Sequence, residues 1–450
     1  MTSCAKLLIG TALLGIASIS AVLPASGEAL LLIEADSGKV LQADNATYPW
    51  YPASLTKLMT LYVTLQAIRE KRIAQTTMIT VSARAASQQP AKMGFKPGTQ
   101  LTLDNALKML MVKSANDMAV TIAEGISGSV EKFAGEMNDT AHRLGMVQTS
   151  YVNPNGLPDE GQISSARDLG ILARSLNRDF PEYGYYWHLP GIKFGKRITR
   201  NYNKLLGRYP GADGMKTGYI CASGFNLVAS ATRNGRQLIA VVLGAPSSKI
   251  RSEKAVQLLE RGFNGEGMTW LRPSLGTIDA LTPISAAPVN LKEEMCGPHR
   301  KKPASETEEE SEADVAANDK GDGSPMGLRQ AAAPKVTFAS LPEMPMPAPV
   351  EVFVGAPKQP PRQASGSVAG AKPVPVTPVQ TASGGKPADV KPGSAPAVWT
   401  PLTASPLANT TAPALSTALS ERPKTVPLPR PRPPIKPKPD AQKQAARPPA

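Results

Sequence analysis

Ser54 and Lys57 place a serine hydroxyl and a lysine amine three positions apart in the chain. From Pro52 onward apolar residues recur at helical spacing, which predicts a helix whose first turn carries both side chains on one face. A serine needs a base to become a nucleophile, and a desolvated lysine can act as that base. The pair alone is weak evidence. Residues 3–6 and 383–386 repeat the spacing, and a helix-start serine beside a surface lysine would look the same.

Two further motifs follow along the chain. Ser114 and Asn116 stand at the predicted break between two helices, where an ordinary helix cap would use the same residue types. Lys216 and Thr217 precede the last predicted hairpin, where they could hold a substrate carboxylate or simply be solvated strand residues. Gly218 beside them would let a ligand approach the backbone. Together, three motifs in this order and context indicate acyl-transfer chemistry on a serine.

Hairpins and helices are predicted to position these motifs. The turn signals are Asp36-Ser37-Gly38 within 29–44, and Asn234-Gly235 between 225–232 and 237–244. Helical periodicity is found at 104–113, 117–126, 130–144, 166–177 and 249–263. This order predicts an α+β fold in which one antiparallel sheet is built from both ends of the domain. Helices would flank the sheet, with a helical insertion between its halves.

The sequence lacks the residues that cofactor-dependent chemistry usually requires. Its three histidines, His142, His188 and His299, are not spaced as metal ligands, and no cysteine cluster accompanies them. No phosphate-binding loop, dinucleotide fingerprint or nucleophile elbow is present. We therefore expect catalysis without a metal or other cofactor. Cys221 and Cys296 could pair in an oxidising compartment, but cysteines so far apart in sequence are more often unpaired, so a disulfide is not expected.

Composition divides the 450 residues into a folded part and a tail. Of the 44 prolines, 29 fall in residues 301–450, which hold only three of the 22 aromatic residues. Such a segment buries too little apolar surface to offset its ordering entropy, which predicts a disordered Pro/Ala-rich tail over 301–450. The folded domain is predicted over 28–265, followed by a short extension at 266–300.

The N-terminus has the pattern of a secretory signal peptide. Lys6 precedes an apolar run that ends in Pro24-Ala25-Ser26-Gly27, so residues 1–27 predict export. An uncleaved membrane anchor is the alternative. The net charge of +14 favours polyanions as binding partners. Export argues against nucleic acid as the partner and favours an anionic polymer or lipid outside the cytoplasm.

Four segments, 51–60, 112–117, 153–158 and 213–219, carry a resemblance to a known family. They read YPASLTKLMT, VKSAND, NPNGLP and DGMKTGY. Over residues 28–265 the chain resembles the low-molecular-mass penicillin-binding proteins, which are D-alanyl-D-alanine carboxypeptidases of serine peptidase family S11. The resemblance implies removal of the terminal D-Ala from peptidoglycan stem pentapeptides, in the periplasm of a Gram-negative-type bacterium, with β-lactams as covalent inhibitors.

The resemblance also implies a role for each motif residue. Ser54 would attack the carbonyl between the last two D-Ala residues, Lys57 would take its proton, and Ser114 would relay a proton to the departing amine. Asn116 would hold the substrate amide and Lys57 in place. Lys216 and Thr217 would bind the terminal carboxylate, with Arg251 assisting them and Gly218 beside them. The backbone amides of Ser54 and Tyr219 would form an oxyanion hole.

Three alternatives remain open from the sequence. An endopeptidase would cut D-Ala cross-links at the same serine, because both substrates present similar termini. A β-lactamase would need a deacylating base, but Ala173 stands where class A enzymes carry glutamate, so slow release of a penicilloyl group is expected. A non-catalytic peptidoglycan-binding protein would not need a nucleophile and a base together. Residues 266–300 are too few for the β-rich domain of many family members, and no C-terminal membrane anchor is recognised.

Overall fold

Five antiparallel strands form the central sheet of the domain, and this computed structural model describes residues 27–265, 274–298 and 336–356. The strands are β1 (Ala29–Glu34), β2 (Val40–Asp44), β3 (Met78–Thr80), β4 (Gln100–Thr102), β5 (Gly191–Phe194), β6 (Arg197–Arg200), β7 (Ala212–Ile220), β8 (Gly224–Arg233), β9 (Arg236–Ala245) and β10 (Val350–Val352). The helices are α1 (Thr56–Arg69), α2 (Ala83–Ala86), α3 (Leu103–Val112), α4 (Asn116–Ser127), α5 (Val130–Arg143), α6 (Ala166–Asp179), α7 (Tyr185–His188), α8 (Ser248–Asn264) and α9 (Lys292–Cys296). None of the helices in these ranges is both long and apolar enough to cross a membrane.

The order of the central sheet is β2-β1-β9-β8-β7, so strands from the two ends of the domain lie side by side. Leu31 of β1 lies opposite Val241 of β9. The β8–β9 hairpin turns at Asn234 and Gly235, which both have positive φ, as a two-residue I′ turn requires. The predicted α+β fold, with one antiparallel sheet drawn from both ends of the domain, is confirmed.

Helices α6 and α8 cover opposite faces of the sheet. Gly170 of α6 lies against Leu31, whereas Gly262 of α8 lies against Leu32, the next residue along β1. Successive side chains of a strand point to opposite faces, so the two helices must be on opposite sides. A Cβ on Gly170 would come within 2.8 Å of the Leu31 side chain, which explains the glycine at this crossing.

Helix α1 runs through the interior of the domain. All residues from Thr56 to Leu65 are buried, and the helix contacts both the insertion helices α3–α5 and the sheet-covering helix α6. It is preceded by a short 3₁₀ turn, Ala53–Leu55. A helix that is packed on every side cannot shift without disturbing the core. The first turn of α1 is therefore a rigid support for the side chains that it carries.

The extension after α8 packs back onto the domain over its described residues, 274–298. Ile278 is buried against α6, and the amide of Leu291 donates to the carbonyl of Ala222. This path brings Cys296 beside Cys221, and the two form a disulfide. The prediction of unpaired cysteines is therefore wrong. Their separation of 75 residues is closed by tertiary packing of the extension, which the cysteine spacing does not reveal.

Loss of this disulfide is expected to lower thermal stability. A cross-link over 75 residues removes denatured-state entropy worth about 4 kcal/mol in the chain-entropy model. We expect the double variant Cys221→Ser/Cys296→Ser to melt roughly 5–15 °C below the unmodified protein. Reductant should lower the melting temperature of the unmodified protein by a similar amount and leave the double variant unchanged. An unmodified protein insensitive to reductant would contradict this.

A second segment, 336–356, also packs on the domain although it lies within the predicted tail. Phe338 is buried, with the guanidinium carbon of Arg208 at 5.2 Å from its ring centroid. Strand β10 pairs in parallel with β5, with Val352 opposite Phe194. The prediction of a tail disordered throughout is wrong for these residues, because Phe338 and Val352 find apolar partners. The other tail residues and nearly all of the predicted signal peptide lie outside the described residues.

Candidate active site

Ser54 lies in the 3₁₀ turn before α1, at the wall of a cavity of about 320 Å³. The cavity is also lined by Ser114, Asn116 and Tyr219, all predicted site residues. Tyr202 and Cys221 complete this part of the wall. Four of the nine predicted site residues therefore share one cavity. Of the remaining five, one lies beneath the cavity, three lie along the neighbouring strand β7, and one lies on helix α8: Lys57, then Lys216, Thr217 and Gly218, then Arg251.

Lys57 is fully buried beneath Ser54. Its Nζ lies 2.9 Å from Ser54 Oγ, and it donates to Asn116 Oδ1 at 2.7 Å and to the backbone carbonyl of Asn155 at 2.6 Å. A neutral amine has two N–H groups and one lone pair. If the N–H groups serve the two amide oxygens, the lone pair is directed at the serine hydroxyl, as proton abstraction requires.

Ser114 and Asn116 occupy the sharp turn between α3 and α4. Ser114 has φ of +57°, a left-handed conformation that non-glycine residues adopt at a cost of roughly 1–2 kcal/mol. Its Oγ is buried and has no hydrogen-bond partner among the described residues, so it is available to a ligand in the cavity. Asn116 Nδ2 donates to the carbonyl of Gln89, which fixes the amide so that Oδ1 faces Lys57.

Strand β7 carries Lys216, Thr217, Gly218 and Tyr219 past the start of α1. Lys216 and Thr217 are buried, and Lys216 Nζ donates to the carbonyl of Thr217 at 2.9 Å. Thr217 Oγ1 has no hydrogen-bond partner in the part of the chain that the structure describes. A Cβ on Gly218 would lie 2.9 Å from the backbone nitrogen of Ser54. The glycine is therefore required for β7 to pass this close to the serine.

The Tyr219 side chain connects β7 to the extension. Its hydroxyl donates to the disulfide sulfur of Cys296 at 3.3 Å, and its ring lies 4.3 Å from that of Phe225. Cys221, the other half of the disulfide, lines the cavity two residues further along the chain. The extension therefore supports this edge of the cavity.

Arg251 reaches the sheet from α8, and its assisting role at the substrate carboxylate stays a prediction. It is buried in α8, where Nη2 lies 3.2 Å from Ser248 Oγ and Nη1 donates to the carbonyl of Asn226 at 3.4 Å. Asn226 pairs with Gly218 in the β7–β8 ladder. Arg251 thus contacts the strand next to Lys216, Thr217 and Gly218, and like Lys216 and Thr217 it is not among the residues that line the cavity. From this position Arg251 can support strands β7 and β8.

Sequence reasoning missed the loop that presents the Asn155 carbonyl to Lys57. Gln162, buried in the loop that leads to α6, accepts from the amides of Val152 and Asn153 and donates to Thr56 Oγ1. It therefore fastens this loop to the first turn of α1. The NPNGLP segment carries a signal only through the family resemblance. A backbone carbonyl has no residue-type signature, so its role could not be read from the sequence.

The variant Gln162→Leu is expected to slow acylation of Ser54 by about 10- to 100-fold, because a small displacement of the loop misplaces Lys57. Substrate binding should weaken as well, because residues 155–158 of this loop line the cavity. The rate can be followed with a fluorescent probe that acylates serine. Gln148→Leu is the matched control, because Gln148 also donates to backbone carbonyls, of Thr47 and Ile284, but does not touch this loop. Equal rates in the two variants would contradict the expectation.

A second missed residue is Asp117. Its carboxylate is fully buried and accepts from the amides of Met93 and Gly94, at 3.0 and 2.9 Å. It thereby fixes the segment whose Pro90 and Ala91 line the cavity. An aspartate directly after Asn116, at the start of a helix, was the only signal in the sequence.

The site contains no metal centre within the described ranges, where no group of three His, Cys, Asp or Glu side chains could hold an ion. A central antiparallel sheet, a helical insertion, and a Ser-x-x-Lys pair between them define the penicillin-binding, transpeptidase-like class of fold. Penicillin-binding protein 5 of Haemophilus influenzae has this fold, with a TM-score of 0.51, 37% identity, and coverage of 52% of this chain and 70% of that one. The carboxypeptidase DacD of Francisella tularensis matches with a TM-score of 0.51 and 29% identity, covering 58% and 74% of the two chains.

Sequence comparison then gives the family. The model of the D-alanyl-D-alanine carboxypeptidase family, Peptidase S11, matches residues 18–247, and the chain belongs to this family. The D-alanyl-D-alanine carboxypeptidase DacC of Escherichia coli K12 is 40% identical over 253 residues, which cover 54% of this chain and 63% of the relative. DacF of Bacillus subtilis 168 is 37% identical over 238 residues, covering 52% and 61%. The match thus spans about three-fifths of the length of these relatives.

Proposed function

We propose that this protein is a serine-type D-Ala-D-Ala carboxypeptidase that removes the terminal D-Ala from peptidoglycan stem pentapeptides through an acyl-Ser54 intermediate. The observation that carries the proposal is the position of Lys57 Nζ, held between two amide oxygens and 2.9 Å from Ser54 Oγ at the wall of a cavity. A binding protein would gain nothing from a nucleophile and a base in contact. Family membership supports the same reaction.

The first step forms the acyl-enzyme. The Ser54 hydroxyl proton passes to the Lys57 lone pair as Oγ attacks the carbonyl carbon between the two D-Ala residues. The resulting oxyanion is held by backbone amides, for which those of Ser54 and Tyr219 are the candidates. The C–N bond then breaks, and the departing amine receives the proton held by Lys57, relayed through the Ser114 hydroxyl, which lines the cavity and has no hydrogen-bond partner among the described residues. Water subsequently hydrolyses the Ser54 ester, which releases the shortened peptide.

The substrate's C-terminal carboxylate is assigned to the β7 side of the cavity. Thr217 contributes a hydroxyl without a partner in the described chain, and Lys216 beside it contributes the charge. Arg251 acts from behind β8 by positioning the strands. A β-lactam carries a carboxylate and a reactive carbonyl and would acylate Ser54 in the same way. Because Ala173 is buried in α6 and offers no base, the penicilloyl-enzyme should persist.

We also propose that the protein acts outside the cytoplasm, in a periplasm. The pattern of residues 1–27 supports export. The Cys221–Cys296 disulfide gives independent support, because structural disulfides persist in oxidising compartments and are rare in the cytosol.

The proposal is tested by mass spectrometry of a stem pentapeptide ending in D-Ala-D-Ala. The full-length protein should remove one Ala, while Ser54→Ala should leave the peptide intact. Cross-linked muropeptides provide the second substrate. If they are cleaved and the pentapeptide is not, the enzyme is an endopeptidase. If neither substrate changes, the catalytic proposal is wrong and a binding role takes its place.

A further inference from the structure

A basic surface lies next to the cavity and takes no part in the chemistry described above. Residues 183–212 contain six lysines and arginines and no aspartate or glutamate. The stretch includes the β5–β6 hairpin, with Lys196 in its turn and Arg197 and Arg200 on β6. These three side chains are exposed, and Lys204 follows, half-buried.

Only part of this positive charge is neutralised by the rest of the described chain. Segment 336–356 brings Glu351 to Lys193 at 3.0 Å and Glu343 to Arg208 at 3.4 Å. Across the described ranges, no acidic group forms a salt bridge with Lys196, Arg197, Arg200 or Lys204. We call these four residues the basic rim.

The basic rim is continuous with the cavity wall. Tyr202, which lines the cavity, lies two residues after Arg200 and two residues before Lys204. Two residues span at most about 8 Å between Cα atoms, so the backbone of Arg200 and of Lys204 is close to this residue of the cavity wall. The β5–β6 hairpin also packs against the segment whose Pro90 and Ala91 line the cavity. The rings of Phe194, on β5, and Phe95, in that segment, are 5.3 Å apart.

We infer that the basic rim is a docking surface for carboxylates on the substrate polymer, beyond the peptide end that enters the cavity. This inference rests on the proposed function, since the polymer is peptidoglycan, whose peptides carry free carboxylates. Exposed guanidinium and ammonium groups attract such anions and speed encounter more than they tighten final binding. An anionic lipid surface is the less favoured partner. Interfacial binding uses a broad apolar face, and Ile198 is the one exposed apolar side chain in the described hairpin.

The test compares a polymeric with a short substrate, using the full-length protein. The polymer is soluble uncross-linked glycan strands with pentapeptide stems. The short substrate is an acylated peptide ending in D-Ala-D-Ala whose only carboxylate is the terminal one. The variant is Lys196→Gln/Arg197→Gln/Arg200→Gln. The matched control is Lys39→Gln/Lys71→Gln/Lys132→Gln, which removes the same charge from exposed sites on other elements.

At roughly 50 mM salt the hairpin variant should lose about tenfold in kcat/KM for the polymer, as expected for three exposed charge contacts. The loss should shrink to about twofold or less near 500 mM salt, where such contacts are screened. The short substrate and the control variant should change by less than about twofold.

Equal losses on both substrates, or equal losses in the control, would overturn the inference. So would loss of binding to anionic lipid vesicles with unchanged turnover of the polymer, which would assign the surface to a membrane. Co-sedimentation with insoluble peptidoglycan measures binding through the basic rim and does not require turnover. Failure of the carboxypeptidase proposal is therefore distinguishable from failure of this one.

Discussion

The variants Ser54→Ala and Lys57→Met are each expected to lose about 10⁴-fold or more in carboxypeptidase turnover, and the double variant no more than either alone. Without the Ser54 hydroxyl no acyl-enzyme can form. Without the Lys57 amine the hydroxyl keeps its proton and is a poor nucleophile. Because the two groups act in the same step, removing one already removes what the other contributes.

Release of D-Ala from a stem pentapeptide measures turnover, and intact-protein mass after exposure to penicillin measures acylation. Lys57→Met is also expected to destabilise the fold by about 1–3 kcal/mol, since Asn116 Oδ1 and the Asn155 carbonyl lose their donor. Thermal melting separates this effect from the chemical one. A double variant that is 100-fold slower than either single variant would show that the residues act independently, against the proposed mechanism.

The variant Gly218→Ala is expected to reduce kcat/KM by about 100-fold while the protein remains folded. The added Cβ would lie 2.9 Å from Ser54 N and 3.0 Å from Leu55 N. Both are backbone atoms of the rigid turn before α1 and cannot move aside as a flexible side chain could. Either β7 or the nucleophile must shift, which changes the distance between Ser54 and the groups on β7.

Gly135→Ala is the matched control for this variant. Gly135 lies in α5, and a Cβ there would meet no atom within 4 Å. Alanine in a helix interior is expected to stabilise by about 0.5–1 kcal/mol without altering turnover. Full activity in Gly218→Ala would mean that the close approach of β7 to Ser54 is not needed for catalysis.

The sequence predicted the helices and the sheet well because both rest on local signals. The periodicity at 104–113 and 166–177 corresponds to α3 at Leu103–Val112 and α6 at Ala166–Asp179. Asn234-Gly235 marked the β8–β9 turn because few other dipeptides tolerate two positive φ angles. The cavity brings Ser54, Ser114, Asn116 and Tyr219 together as their motifs implied.

What the sequence did not predict depends on contacts between distant segments. Cys296 reaches Cys221 only because the extension packs across the domain, and cysteine spacing holds no record of that path. Phe338 is a single aromatic residue in proline-rich surroundings, so composition alone gave no reason to expect its burial.

The strand order has a consequence for how the protein folds. Strand β1 lies between β2 and β9 in the sheet. Its partners in β9, such as Val241 opposite Leu31, are synthesised about 200 residues later. Until β9 is available, one edge of the apolar β1–β2 hairpin has no partner, and pairing over such a separation is slow. Fragments that end before residue 236 should therefore be prone to aggregate, and a holdase chaperone that covers Leu30–Ile33 would have most effect during this interval.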